Sequence, residues 1–165
     1  RPTSSSTTSW PSMTTSTTTL RRPRVSGFAR LMFGLQVFLL RRNWMGSMGD
    51  ELMVITVTGR KSGRSYSTPI GFVRDGDGYV AVSRGSQWVR NAMTAPAVTL
   101  EIKGQPIKAR AIRVTDPAEQ LRLVDLYREQ RRKNFATYFG VPIDADAAAV
   151  RSALENRELV RFTPL

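Results

Sequence analysis

The chain has 165 residues, 41% of them hydrophobic, which allows one domain with a real core plus a tail. It contains no cysteine and no histidine, which excludes disulfides, thiolate nucleophiles, Cys or His metal sites and any Ser-His-Asp triad. Its net charge of +12 suits an anionic partner: nucleic acid, a membrane surface or a phosphorylated ligand.

Acid–base work is thereby left to Asp, Glu, Lys or Tyr, or the chemistry is borrowed from a cofactor. No metal site is expected. The missing disulfides fit a cytoplasmic location.

Residues 1–22 read as a tail rich in Ser and Thr, with Pro2 and Pro11, and too little apolar surface to order itself. The chain opens on Arg1, so a start at Met13 and an upstream extension both stay open. Residues 23–49 read as an apolar, basic helix with its connector. Phe28, Leu31, Met32, Leu35 and Leu39 recur at helical spacing, flanked by Arg21, Arg22 and Arg24 before and Arg41 and Arg42 after. The run is too short for a membrane span and carries Gln36. Two readings follow: the helix packs on the domain, or it lies in an anionic membrane interface at the inner face of the membrane.

From residue 50 to residue 165 the pattern becomes mainly strand. Leu52–Thr58 is an apolar run. It leads into Thr58-Gly59-Arg60-Lys61-Ser62-Gly63-Arg64-Ser65, where two glycines bracket three donor side chains. Glycine permits a tight turn with exposed N–H groups, which form an anion-binding concavity. Arg adds a planar fork of donors and Lys a point charge. A second strand covers Ser65–Arg74, with Pro69 inside it marking an edge position or a bulge. Asp75-Gly76-Asp77-Gly78 is a hairpin turn, and Tyr79–Ser83 a third strand. The loop Arg84-Gly85-Ser86-Gln87 opens a short helix from Trp88 to about Thr94. Such a loop repeats the chemistry of the first, because a helix start favours anions. The two loops are expected to converge on one phosphate or carboxylate. Trp88 and Asn91 share a helix face, and Trp88 by itself reads as a core anchor.

Ala97–Ile102 and Ile107–Val114 are further strands, joined by the turn Lys103-Gly104-Gln105-Pro106. Asp116, Pro117 and Glu119 open a helix as cap, first position and capping-box partner. It runs to about Phe139 with a break near Lys133–Asn134, and Gly140 and Pro142 end it. Phe135, Tyr138 and Phe139 close a core at its end. Asp144 is expected to cap a short helix through Ala147–Leu154, and Glu158–Thr163 is the last strand. Six short strands with interspersed helices give an α+β, mainly β fold: a small, mostly antiparallel β-barrel with flanking helices.

Thr-Gly-Arg-Lys-Ser-Gly at 58–63, Pro69, then Ser83-Arg84-Gly85, Trp88, Asn91 and Ala95-Pro96 resemble the deazaflavin-dependent nitroreductase family. The resemblance covers roughly residues 50 to 165. It implies a split β-barrel of the flavin-binding type that takes coenzyme F-420, a hydride carrier with a phosphate and an oligoglutamate tail. By that resemblance Arg60, Lys61, Ser62 and Gly63 hold phosphate or tail, and Ser83, Arg84, Gly85 and Ser86 lie along phosphate and deazaflavin. Pro69, Trp88 and Asn91 complete the cofactor-binding set, and Tyr138 stands near the substrate as a proton donor. The chain departs from the family at Arg84, where Lys is usual, and at Val89-Arg90, where Tyr-His commonly follows the Trp. The implied activity is hydride exchange with a small organic substrate such as a nitro compound, quinone or enone, in an enzyme that is often a homodimer. The alternatives are a split barrel using FMN and a non-enzymatic basic module for nucleic acid or anionic lipid.

Overall fold

A computed structural model describes residues 50–165. The tail 1–22 and the helix expected within 23–49 lie outside the described residues.

The elements in chain order are β1 (Leu52–Thr58), β2 (Ser65–Asp75), β3 (Gly78–Ser83), α1 (Gln87–Ala92), β4 (Val98–Ile102), β5 (Gln105–Val114), α2 (Pro117–Gln130), α3 (Phe135–Phe139), α4 (Ala147–Leu154) and β6 (Glu158–Pro164). The strands close a barrel in the order β1-β2-β3-β6-β5-β4. Every neighbouring pair is antiparallel. This is the six-stranded split barrel with flanking helices that the sequence leads one to expect.

Two apolar clusters sit on the two sides of the sheet. Inside the barrel, Met53, Ile55, Phe72, Ala81, Leu100 and Phe162 pack around Trp88, Val89 and Ala92 of α1, which plugs one end. On the outer face of β2, β3 and β6, Val73, Val80 and Leu159 pack under Tyr127, Phe135, Phe139, Val150 and Leu154 of the covering helices. Strands buried on both faces need unbroken apolar runs, which is what Phe72-Val73 and Tyr79-Val80-Ala81-Val82 supply. Each fully buried Phe, Leu or Val contributes about 1.5–3 kcal/mol.

The Asp116 carboxylate accepts from the Glu119 N–H at 2.7 Å, with Pro117 in the first turn. The helical stretch breaks at Arg131, continues as a single 3-10 turn over Arg132–Asn134, and ends on Gly140 in the left-handed region, φ 73. The cap of α4 is Asp146, which accepts from the Ala149 N–H at 2.8 Å, not Asp144. A capping side chain reaches two or three residues ahead, and Ala147 starts the helix, so Asp144 stands too early. Helix α1 starts one residue before Trp88 and stops at Ala92. The β4–β5 turn is a two-residue type, with Lys103 (φ 50) and Gly104 (φ 78) both left-handed, so β5 begins at Gln105, earlier than expected.

One departure from regular pairing creates the site. Strand β2 pairs with β1 from Ser65 to Gly71, but with β3 only from Phe72 to Asp75. The next pairs in the β3 register, Gly71 with Val82 and Ile70 with Ser83, are not made. Pro69 lies in this half of β2, opposite Val54 of β1, with its other edge free of β3. A residue without an N–H belongs at such an edge, which bears out the edge reading. Val82 and Ser83 meanwhile stay paired to β6. The wall of the barrel is therefore split between the first half of β2 and the end of β3.

Candidate functional site

The split opens into a cleft of roughly 380 Å³. Thr68, Pro69, Ile70 and Gly71 of β2 form one wall. Val82, Ser83, Arg84, Ser86 and Trp88 form the opposite wall, and Thr137 and Tyr138 of α3 close one end. The loop is shaped locally: the Ser86 N–H donates to Ser83 Oγ at 3.1 Å, and Gly85 takes a φ of 65, which favours glycine. Ser83 is thereby buried but satisfied. Trp88 stacks on Phe162 at 6.1 Å between centroids, so it anchors the core while it also lines the cleft. Arg90 donates to the Gly85 carbonyl and to Gln87 Oε1, both at 2.9 Å, and so ties the loop to α1.

Tyr138 reaches the cleft through a contact that depends on the absence of a side chain. A Cβ built on Gly71 would collide with the Tyr138 hydroxyl and stand 2.6 Å from its Cε1. Gly71 is thus the bare patch of strand over which the phenol lies. The ring is half-buried beside Tyr127, 5.1 Å away. Burial raises the Tyr138 pKa above its ordinary 10.0; Arg131 opposes that shift and Glu51 adds to it. The group therefore holds its proton across neutral and mildly alkaline pH and is suited to donate, not to accept.

A second cleft, of roughly 340 Å³, lies on the basic loop. It is lined by Gly59, Arg60, Lys61, Ser62, Tyr66, Gln87 and Asn91. The loop is closed by two backbone bonds of 2.8 Å, Gly63 N–H to the Gly59 carbonyl and Gly59 N–H to the Arg64 carbonyl. Ser62 Oγ and Tyr66 Oη share a hydrogen bond at 3.0 Å. A Cβ at Gly59 would come within 2.6 Å of Tyr66 Cε2, so only glycine lets the ring cover the loop. Gly63 shapes the turn at φ 65 and does not line the cleft. Among the described residues neither Arg60 nor Lys61 makes an ion pair.

The two clefts share no lining residue, so the two loops do not close on one pocket as the sequence suggested. They adjoin, because Gln87 of one sits between Ser86 and Trp88 of the other, and Tyr66 stands two residues before Thr68 on β2. Trp88 and Asn91 share the buried side of α1 yet serve different clefts: Asn91, nearly fully buried, borders the basic one. Gly71, Thr68, Thr137 and Tyr66 went unremarked in the sequence. Gly71 alone carried a signal there, since a glycine inside a strand marks a bulge or a close approach.

A family model described as F420H(2)-dependent quinone reductase matches residues 39–142, which includes both loops and Tyr138 and stops before α4 and β6. Solved structures match more widely and more distantly. One, a domain-swapped dimer, is 16% identical, covers 84% of this chain and 100% of that one, and has a TM-score of 0.52. A protein of unknown function from Agrobacterium tumefaciens is 16% identical over 88% of this chain and 57% of its own, with a TM-score of 0.51. A putative 5-nitroimidazole antibiotic resistance protein from Bacteroides thetaiotaomicron is 13% identical over 69% of this chain and 72% of its own, with a TM-score of 0.50. At these identities the likeness is one of fold.

Proposed function

The chain belongs to the F420H(2)-dependent quinone reductase family, and on that premise we propose that it is an oxidoreductase exchanging a hydride between deazaflavin coenzyme F-420 and a small organic acceptor of the quinone kind. The observation that carries this reading is the pair of adjoining clefts, one walled by the barrel split and one by the basic loop with Arg60 and Lys61. An elongated ligand with a planar ring at one end and anionic groups at the other fits that pair. The residues present suit both ends. Arg60, Lys61 and Ser62 offer charge-assisted hydrogen bonds to phosphate or carboxylate. Pro69, Ile70, Val82 and Trp88 offer an apolar wall, with Ser83, Arg84 and Ser86 as polar points along it.

When bound, the deazaflavin supplies the hydride. The chain's own residues orient, shield and protonate. Ile70 and Val82 exclude water from one side of the cleft. Tyr138 keeps a proton at Oη, within the cleft, and gives it to the oxygen of an acceptor as negative charge develops there. Among the described residues no carboxylate lines either cleft, and Arg84 stands in the split cleft to favour a developing oxyanion. A homodimer belongs to the same reading, since one solved structure of this fold is a domain-swapped dimer.

The test is a titration of the full chain with F-420, FMN and a mixed-sequence oligonucleotide in parallel. The expected result is F-420 binding with FMN and oligonucleotide far weaker. Tight FMN binding with no F-420 binding would transfer the cleft to the flavin. Oligonucleotide binding alone would remove the enzyme reading.

A further inference from the structure

Arg157 stands between α4 and β6, beyond the stretch that the family model matches. Its Nε donates to the Tyr138 carbonyl at 2.7 Å and its Nη1 to the Ala153 carbonyl at 2.9 Å. These bonds fix the guanidinium against the end of α3. They leave Nη2 without an acceptor among the described residues. That nitrogen lies against the bare Cα of Gly140: a Cβ there would collide with it and would also stand 3.5 Å from Arg84 Nη2. Two guanidiniums from distant parts of the chain thus converge on one spot. The spot adjoins the end of the split cleft, which Arg84 and Tyr138 both line.

Neither arginine has a carboxylate partner among the described residues. Burial, and then the nearby charge of Arg84, pull the Arg157 pKa below its ordinary value. Arginine does not give up its proton in a protein, so the two like charges face each other until an anion relieves them. A pair of N–H-bearing cations at one point selects an oxygen anion with more than one acceptor atom.

We propose that Arg84 and Arg157 form an oxyanion subsite at the Tyr138 end of the split cleft, which takes a carboxylate or a phosphate between their Nη2 groups. The chemistry of the subsite stands on this geometry alone. Which molecule brings the oxyanion, the acceptor or the cofactor, rests on the function proposed above.

The first measurement is calorimetric titration of inorganic phosphate into the ligand-free full chain at constant ionic strength. The wild type is expected to bind saturably, and Arg84→Gln and Arg157→Gln to bind about tenfold more weakly, the loss of roughly one charge-assisted hydrogen bond. Arg110→Gln, on the exposed face of β5, should match the wild type. Arg157 also holds two backbone carbonyls, so Arg84→Gln, whose side chain makes no hydrogen bond among the described residues, decides the matter if Arg157→Gln does not fold. No saturable binding, or equal affinity in the wild type and Arg84→Gln, overturns the subsite.

The second measurement identifies the source in the same variants. A raised Kd for F-420 assigns the oxyanion to the cofactor. An unchanged Kd, with KM raised for a carboxylate-bearing quinone and not for its methyl ester, assigns it to the acceptor. Where the wild type binds F-420 and turns over, a change in neither overturns the subsite. Failure of the wild type to bind F-420 defeats the deazaflavin reading and leaves the phosphate result standing, so the two failures are distinct.

Discussion

The two clefts lie side by side and are built in opposite ways. The basic cleft takes five of its seven lining residues from the eight positions Gly59 to Tyr66, and its cations are exposed and form no ion pair among the described residues. The split cleft draws on β2, β3, α1 and α3, elements up to 70 positions apart, and its walls are mostly buried or half-buried. A local loop can lose a side chain with little effect on the fold. A cleft made by interrupted pairing and a phenol seated on a glycine has positions where binding and folding cannot be separated. The basic cleft is thus suited to affinity and the split cleft to chemistry.

The largest expected effect tests the chemical half of that contrast. Tyr138→Phe should lower turnover about a hundredfold, the lower range for loss of a general acid, while the cofactor Kd stays nearly unchanged. Because burial holds the phenol pKa above 10.0, the wild-type rate should fall only beyond that pH, and this alkaline limb should vanish in the variant. Full activity in Tyr138→Phe would dissolve the distinction between the clefts.

Next comes affinity. Arg60→Ala should weaken F-420 binding by about tenfold to a hundredfold, from the loss of one or two charge-assisted hydrogen bonds, with no change in melting temperature. Lys61→Ala should cost less, since a flexible ammonium is less pre-organised than a guanidinium. A drop in melting temperature for either would mean that the loop is structural after all.

A third variant separates a bare Cα that makes room for a ring from one that only shapes a turn. Gly71→Ala should cost about 1–3 kcal/mol in chemical denaturation, as an overpacked site does, and should lower turnover with it by displacing Tyr138. Gly63→Ala, strained by its positive φ but open in space, should cost about 1 kcal/mol and leave turnover alone. Equal costs would remove the special place of Gly71.

The smallest effect lies away from both clefts, at the turn end of β2. There Glu119 and Asp75 are held by Arg122 and Arg161. Hydrogen bonds from Arg122 and then Arg161 lower Glu119 to about 2 from 4.5. A depressed carboxylate contributes stability that is present above its unfolded value and lost as the pH falls toward its folded one. Melting temperature should therefore fall more steeply between pH 4.5 and about 2 in the wild type than in Glu119→Gln. Identical acid profiles would show that the network is too solvated to matter.

The same contrast explains which features are legible in the sequence. The loop at 58–65, the Asp-Gly hairpin at 75–78, the cap at Asp116 and the stop at Gly140 are local signals, and local physics decides them. Pro69 marked a free edge because a missing N–H is written in the residue itself. What the sequence could not convey was which strand lay across that edge, and hence that the wall opens there. Nor could it say that the two loops border separate clefts, that Tyr138 lies on Gly71, or that Arg157 meets Arg84 at Gly140. Each of these depends on the closure of the barrel and on helices packed from distant segments. The cap of α4 was misassigned to Asp144 for a smaller reason: with acids at both 144 and 146, spacing alone does not choose.

The central claim is that one cofactor spans both clefts, its ring at the split and its anionic end on the basic loop. The most direct measurement is a thermodynamic cycle of affinity. The wild type and Arg60→Ala are each titrated with F-420 and with the same deazaflavin shortened before its phosphate. The account predicts that Arg60→Ala costs about tenfold to a hundredfold with the full cofactor and nothing with the shortened one. An equal loss with both ligands would contradict it, because Arg60 would then act on the ring or on the fold and not on the anionic end.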